Sequence, residues 1–135
     1  MIKKLFLLLT LFSSLVLLIS CDNEENYFVG KWQLMSIEDG VSITDCSNEN
    51  QIRVFYYDGG LDGFEQKATY SFNEHNLYYR FSSGFVHTYN YTFSDNNQTL
   101  SIMLTKISNE GDIMLISPKG YQMIGKTQIY KRITK

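Results

Sequence analysis

From residue 67 onward the chain alternates between apolar and polar positions. Ala68, Tyr70 and Phe72 interleave with Lys67, Thr69 and Ser71; after the turn-forming run Asn73-Glu74-His75-Asn76, Leu77, Tyr79 and Phe81 interleave with Tyr78, Arg80 and Ser82. A period of two predicts a hairpin with one buried face. Ser82-Ser83-Gly84 turns the chain into the longest alternation, Phe85, His87, Tyr89, Tyr91 and Phe93 against Val86, Thr88, Asn90 and Thr92, and Ser94-Asp95-Asn96-Asn97 leads on to Leu100, Ile102 and Leu104. Further strands are expected at Ile113 to Ser117, followed by a Ser-Pro-Lys-Gly turn, and from Tyr121 to Ile133, where Gly125 marks a bulge or bend. Lys31 to Glu38 and Ile52 to Tyr57 are two earlier candidates, separated by a polar loop in which at most one short helix, within residues 39 to 50, could hide. No segment sustains an apolar period of 3.6. About eight short antiparallel strands predict an all-β fold, a small up-and-down β-barrel in preference to a two-sheet sandwich, because closure removes the exposed edges.

The N-terminus follows a different pattern. Lys3 and Lys4 precede an apolar run from Leu5 to Ile19, broken only by Thr10, Ser13 and Ser14. This is the charged start and apolar centre of a secretory signal, shorter than the ~20 residues a membrane-spanning helix needs. The run ends in Leu18-Ile19-Ser20-Cys21, which resembles the bacterial lipobox. That resemblance implies that residues 1–20 are a lipoprotein signal peptide and that Cys21 becomes the lipidated first residue, anchoring the protein to a membrane. Several acyl chains together give a stable anchor where one is marginal. Residues 21–26 then form an acidic tether, Cys21-Asp22-Asn23-Glu24-Glu25-Asn26, and residues 27–135 the folded domain. The acidic stretch resembles the export signal of surface lipoproteins in Bacteroidetes-type bacteria, while aspartate directly after the cysteine marks inner-membrane retention in other bacteria. The expected address is the cell envelope, at the outer membrane, with the leaflet open.

Composition sharpens this division. Of 135 residues, 15% are aromatic; all ten Tyr and seven of nine Phe lie beyond the signal, so the aromatic excess belongs to the barrel. Removing Lys3 and Lys4 with the signal leaves ten basic against fourteen acidic residues, a net charge of −4. Such a balance argues against nucleic acid as a partner. With Cys21 lipidated, Cys46 has no partner in the chain for a disulfide, and lacking a neighbouring His, Lys or Arg in sequence it is expected to be a half-buried, inert thiol.

Gly30-Lys31-Trp32, at the start of the first strand, resembles the Gly-x-Trp signature of lipocalins, and Tyr130-Lys131-Arg132 stands where that family carries a basic residue at the end of its last strand. With the tether and the hairpins, the chain is similar to the lipocalin-like domains of lipoproteins from Bacteroidetes-type bacteria. The resemblance implies that Trp32 closes one end of the barrel and that Arg132 packs over the indole, so that Gly30, Trp32 and Arg132 are structural. It also implies that the barrel holds a small hydrophobic or amphipathic ligand. The Thr-Asp-Tyr motif of longer lipocalins is missing, and the barrel is short for that family.

Chemistry is sparse. His75 and His87 are the only histidines, and no zinc, P-loop or nucleophile-elbow motif occurs. Asp58-Gly59-Gly60-Leu61-Asp62-Gly63 begins like a calcium loop but has Gly at its third position and Thr69 at its twelfth, so a glycine-rich turn is expected. No catalytic residue, metal or cofactor is therefore assigned, and the protein is not expected to be an enzyme. One position is unusual: His87 shares the inward face with Phe85, Tyr89, Tyr91 and Phe93. His87 with Tyr79, Tyr89 and Tyr91 would give an aromatic wall with a few polar handles, the usual make-up of a ligand pocket; in a filled barrel His87 would instead be a satisfied core residue. The expected function is thus non-catalytic binding of a small ligand. The alternative is an envelope protein–protein interaction module with a solid barrel, contacting partners through Asp39–Asn50 and Tyr56–Phe64.

Overall fold

A computed structural model describes residues 25–109 and 122–134. Nine strands follow one another: β1 (Gly30–Glu38), β2 (Ile43–Asp45), β3 (Ile52–Phe55), β4 (Gly60–Asp62), β5 (Ala68–Phe72), β6 (Asn76–Phe81), β7 (Phe85–Ser94), β8 (Thr99–Asn109) and β9 (Thr127–Thr134). All pairings are antiparallel, neighbours pair in sequence order from β3 to β9, and β9 returns to pair with β1. Eight strands therefore close a barrel. The ninth, β2, lies along the far end of β1, pairing Ser36–Glu38 beyond the stretch of β1 that pairs with β3. This up-and-down closure is the architecture the alternation predicts.

The tight turns are set by side chains that bond their own backbone. Asn73 Oδ1 accepts from the amides of His75 and Asn76, and Asp39 Oδ1 accepts from Val41 and Ser42. Such short polar side chains replace missing ladder bonds at hairpin tips. Between β7 and β8, Asp95, Asn96 and Asn97 all take positive φ, which Asp and Asn tolerate better than other non-glycine residues.

Three boundaries differ from the sequence reading. Asp58–Gly63 is not one glycine-rich turn: the reversal spans Tyr56–Gly59, with Gly60 NH held by Asp58 Oδ1, and the next residues form β4. The polar loop holds the short strand β2. Gly125 does not kink the last strand but sits at φ +84° in the turn before it, its amide donating to the Leu104 carbonyl, so β9 begins at Thr127. The expected strand at Ile113–Ser117 lies outside the described residues. The eighth barrel strand is instead β4, and β8 runs five residues beyond Leu104. It does so through an irregularity at Thr105, whose hydroxyl donates to the Thr88 carbonyl, and Ile107 then rejoins the inner face opposite His87.

The interior is divided. Around Phe28, the rings of Phe72, Tyr91 and Phe93 lie with centroids 4.9–5.0 Å away and Phe55 stacks at 5.6 Å, filling the end from which the chain enters the barrel. Aromatic pairs at these separations add to the area they bury. Towards the opposite end the packing loosens around Tyr79, Tyr89 and His87.

Candidate functional site

The filled end is built from the residues of the Gly-x-Trp resemblance. Gly30 has φ +136°, a conformation that side chains disfavour, and this lets the chain turn from Phe28 into β1. Trp32 is fully buried, and its indole Nε1 donates to the Phe28 carbonyl at 2.7 Å. The Arg132 guanidinium lies 4.2 Å over the indole and ties three chain segments together: Nη1 donates to the Val29 carbonyl at 2.8 Å, Nη2 to Tyr27 at 2.6 Å and Nε to Asn97 at 3.2 Å. A planar cation with a fork of donors can stack and bond in this way at once. Gly30, Trp32 and Arg132 therefore form a plug. Cys21, the expected lipidation site, lies outside the described residues.

At the other end a cavity of about 290 Å³ opens between the strands, lined by Leu34, Ile37, Gln51, Arg53, Phe64, Tyr79, His87, Tyr89, Leu104, Met123, Gln128 and Tyr130. Three of the expected pocket residues meet here. Tyr79 and Tyr89 pack at 4.7 Å between centroids, and His87 Nδ1 lies 3.3 Å from the Tyr89 hydroxyl with its ring edge-on to Phe81. Burial holds the His87 imidazole below its ordinary pKa, which favours the neutral ring. The fourth, Tyr91, is not on this wall. It belongs to the filled end, where its ring meets Phe28 and its hydroxyl donates to the Asn73 carbonyl at 2.6 Å.

Arg53 is the residue the sequence reading did not single out. It pairs with Trp32 across β1–β3 and so shares its inward face. Its guanidinium stacks 4.0 Å over the Phe64 ring, and Nη1 donates to the Gly63 carbonyl at 2.6 Å. Gly63 has to be glycine: φ is +110°, and a Cβ there would collide with the Ile52 carbonyl oxygen and crowd the Arg53 side chain. The turn after β4 thus clamps the arginine.

Three phenols surround the cation. Burial pushes the Tyr79 hydroxyl well above its ordinary pKa of 10 and raises those of Tyr89 and Tyr130, while the Arg53 charge pulls the other way in each case. All three are neutral donors at physiological pH. The Tyr130 hydroxyl donates to Gln128 Oε1 at 2.7 Å. Among the described residues, the buried Tyr79 hydroxyl and the buried Arg53 Nε have no hydrogen-bond partner.

Cys46 is fully buried rather than half-buried, because its amide bonds back to the Met35 carbonyl and draws the residue against β1. Its thiol is free, and burial, followed by the charges of Glu49 and Asp45, raises its pKa. Such a thiol is a poor nucleophile.

Comparison with known proteins gives no match: no family model, no curated protein and no solved structure is significantly similar to the chain.

Proposed function

We propose that this chain is a lipoprotein of the bacterial envelope, anchored at the outer membrane through Cys21, whose lipocalin-like barrel binds a small hydrophobic or amphipathic molecule without transforming it. The anchor rests on the basic start, the apolar run and Leu18-Ile19-Ser20-Cys21. Binding rests on one observation, the cavity of about 290 Å³ with a mainly apolar wall and a few convergent polar groups. Ligand pockets have that make-up, and this one is at the small end of their range of roughly 300–1,000 Å³.

The two halves of the proposal fit together geometrically. Glu25 lies at the filled end, beside Tyr27, Phe72 and Tyr91. Four residue steps separate it from Cys21, a reach of at most about 14 Å. An anchor at Cys21 therefore holds the plugged end near the membrane and turns the cavity away from it.

Metabolic labelling with an alkyne fatty acid tests the anchor: the chain should take up label, and Cys21→Ser should abolish it. Native mass spectrometry of the protein from its own membranes tests the barrel. An adduct of constant mass is expected; no adduct, together with no change in melting temperature across a panel of amphiphiles, would remove the binding reading.

The interaction-module reading draws on exposed apolar side chains in its expected segments, Val41 at 97%, Ile43 at 72% and Tyr57 at 87% exposure. Val41 and Ile43 follow the far end of β1, whereas Tyr57 lies in the turn beside the plug, so the two segments do not form one surface. A pull-down in which Val41→Ser and Ile43→Ser lose an envelope partner would favour this reading.

A further inference from the structure

We infer that the ligand of the barrel cavity is a monoanion, a short-chain amphiphile whose carboxylate is held by Arg53 and Tyr79. This rests on the ligand-binding reading above and adds the chemical class of the ligand.

A cation facing the interior is costly unless something compensates it. Arg53 faces the interior from β3, yet among the described residues no carboxylate forms an ion pair with it. Phe64 covers one face of the guanidinium, the Gly63 and Ile52 carbonyls accept from Nη1, and the side chain also hydrogen-bonds the Tyr130 hydroxyl, but Nε is left buried with no partner. On the same cavity wall the Tyr79 hydroxyl, in a side chain only 1% exposed, also lacks a partner. Two unmet donors, one charged and one a phenol that burial keeps protonated, ask for the same thing: an acceptor carrying negative charge.

The count of charges fixes the valence. Among the described residues, Arg53 is the only Lys, Arg, Asp or Glu lining the cavity, and burial disfavours a charge on His87. One cation balances a carboxylate, whereas a phosphate dianion would leave a buried charge uncompensated. The rest of the wall, Leu34, Ile37, Phe64, Leu104 and Met123, is apolar and suits a short hydrocarbon body. Gly63 supports the assignment, since its close approach to Ile52 and its bond to Arg53 fix the guanidinium where a ligand would meet it.

Isothermal titration of the full-length protein with hexanoate, hexanamide and hexyl phosphate tests this. Hexanoate should bind at least about tenfold more tightly than hexanamide, as expected for a charge-assisted pair removed from water. Arg53→Met should erase that preference while leaving hexanamide binding in place, Arg53→Lys should keep part of it, and Tyr79→Phe should weaken hexanoate several-fold. Should Arg53→Met fail to fold, the Lys and Phe variants carry the test. Equal affinity for hexanoate and hexanamide, or a preference for hexyl phosphate, overturns the carboxylate assignment while leaving a ligand-binding barrel. No binding of any of the three, nor of neutral amphiphiles, overturns the binding reading itself.

Discussion

Replacing Tyr79 by Phe removes a single oxygen from the cavity wall, and it should stabilise the unliganded protein where most core substitutions destabilise. The ring keeps its contacts with Tyr89 at 4.7 Å, Phe64 at 5.7 Å and Phe55 at 6.0 Å, so packing is unchanged. What is lost is a hydroxyl that folding takes out of water and leaves without a partner among the described residues. A buried, unsatisfied polar group costs about 1–3 kcal/mol, and Phe should recover that amount. In urea, with a slope of about 1–3 kcal/mol/M, the midpoint should rise by at least about 0.3 M with the slope unchanged. Two identical substitutions calibrate the sign. The Tyr70 hydroxyl donates to the Tyr56 carbonyl at 2.7 Å and accepts from Asn26 Nδ2 at 2.9 Å, and the Tyr130 hydroxyl donates to Gln128. Tyr70→Phe and Tyr130→Phe should each lose about 0.5–1.5 kcal/mol per bond removed. A Tyr79→Phe loss matching that of Tyr70→Phe would refute the reasoning, because the hydroxyl would then be bonded in the empty protein and the anion site would lose one of its two unmet donors.

Other expectations concern the plug, the histidine and the thiol. Arg132→Met strips donors from the carbonyls of Tyr27, Val29 and Asn97 and the cation from Trp32, and should cost about 2–4 kcal/mol by urea denaturation; Arg132→Lys should recover only part, since one ammonium cannot stack on the indole and bond all three carbonyls. Burial lowers the His87 pKa from 6.5, so the unfolded chain takes up that proton first; stability should fall as pH drops from above 6.5 through the folded value, and His87→Gln should flatten this segment of a pH–melting curve. Asp39 and Asp45, whose pKa values are lowered from 3.8 by hydrogen bonds from the Ser42 backbone and the Ser47 side chain, act in a separate window around and below pH 3.8. Cys46 should resist iodoacetamide in the folded protein and react readily in urea; rapid native alkylation would contradict its burial and raised pKa.

The inner faces of β5, β6 and β7 were legible because each carries at least three apolar residues at a strict period of two, long enough to fix which side is buried. Arg132 over Trp32 was legible only through the lipocalin resemblance carried by Gly30-Lys31-Trp32 and Tyr130-Lys131-Arg132. The short strands β2 and β4, of three residues each, are too brief to show any period. Arg53 was hidden for a subtler reason. In Gln51-Ile52-Arg53-Val54-Phe55 both parities hold apolar residues, and hydrophobicity alone would turn Ile52 and Val54 inward; pairing with β1 turns Arg53 and Phe55 inward instead. Phe64 and Gly63, which clamp the arginine, lie outside any strand. Ile107 regains the inner face only through the irregularity at Thr105, which no alternation count can anticipate. Tyr91 shares the parity of His87 and Tyr89, but four residues of strand carry it down the barrel to the plug, so parity gave its face and not its height.

That difference in height bears on how the molecule works. Among the described residues the barrel is plugged at one end and hollow towards the other, so its stability and the proposed binding rest on different residues. The plug ties the entering chain, the β7–β8 turn and β9 through one guanidinium, so it should hold whether or not the cavity is filled. The cavity end carries two donors with no partner among the described residues, which the acceptor of the proposed ligand would satisfy. If the protein is anchored through Cys21 as proposed, the mouth of the cavity would face water, and a ligand would arrive through the aqueous phase instead of sliding in from the bilayer. Fully apolar lipids are poorly suited to that route. A short amphiphile with one ionised carboxylate dissolves well enough to make the crossing, and it brings the single negative charge that Arg53 lacks.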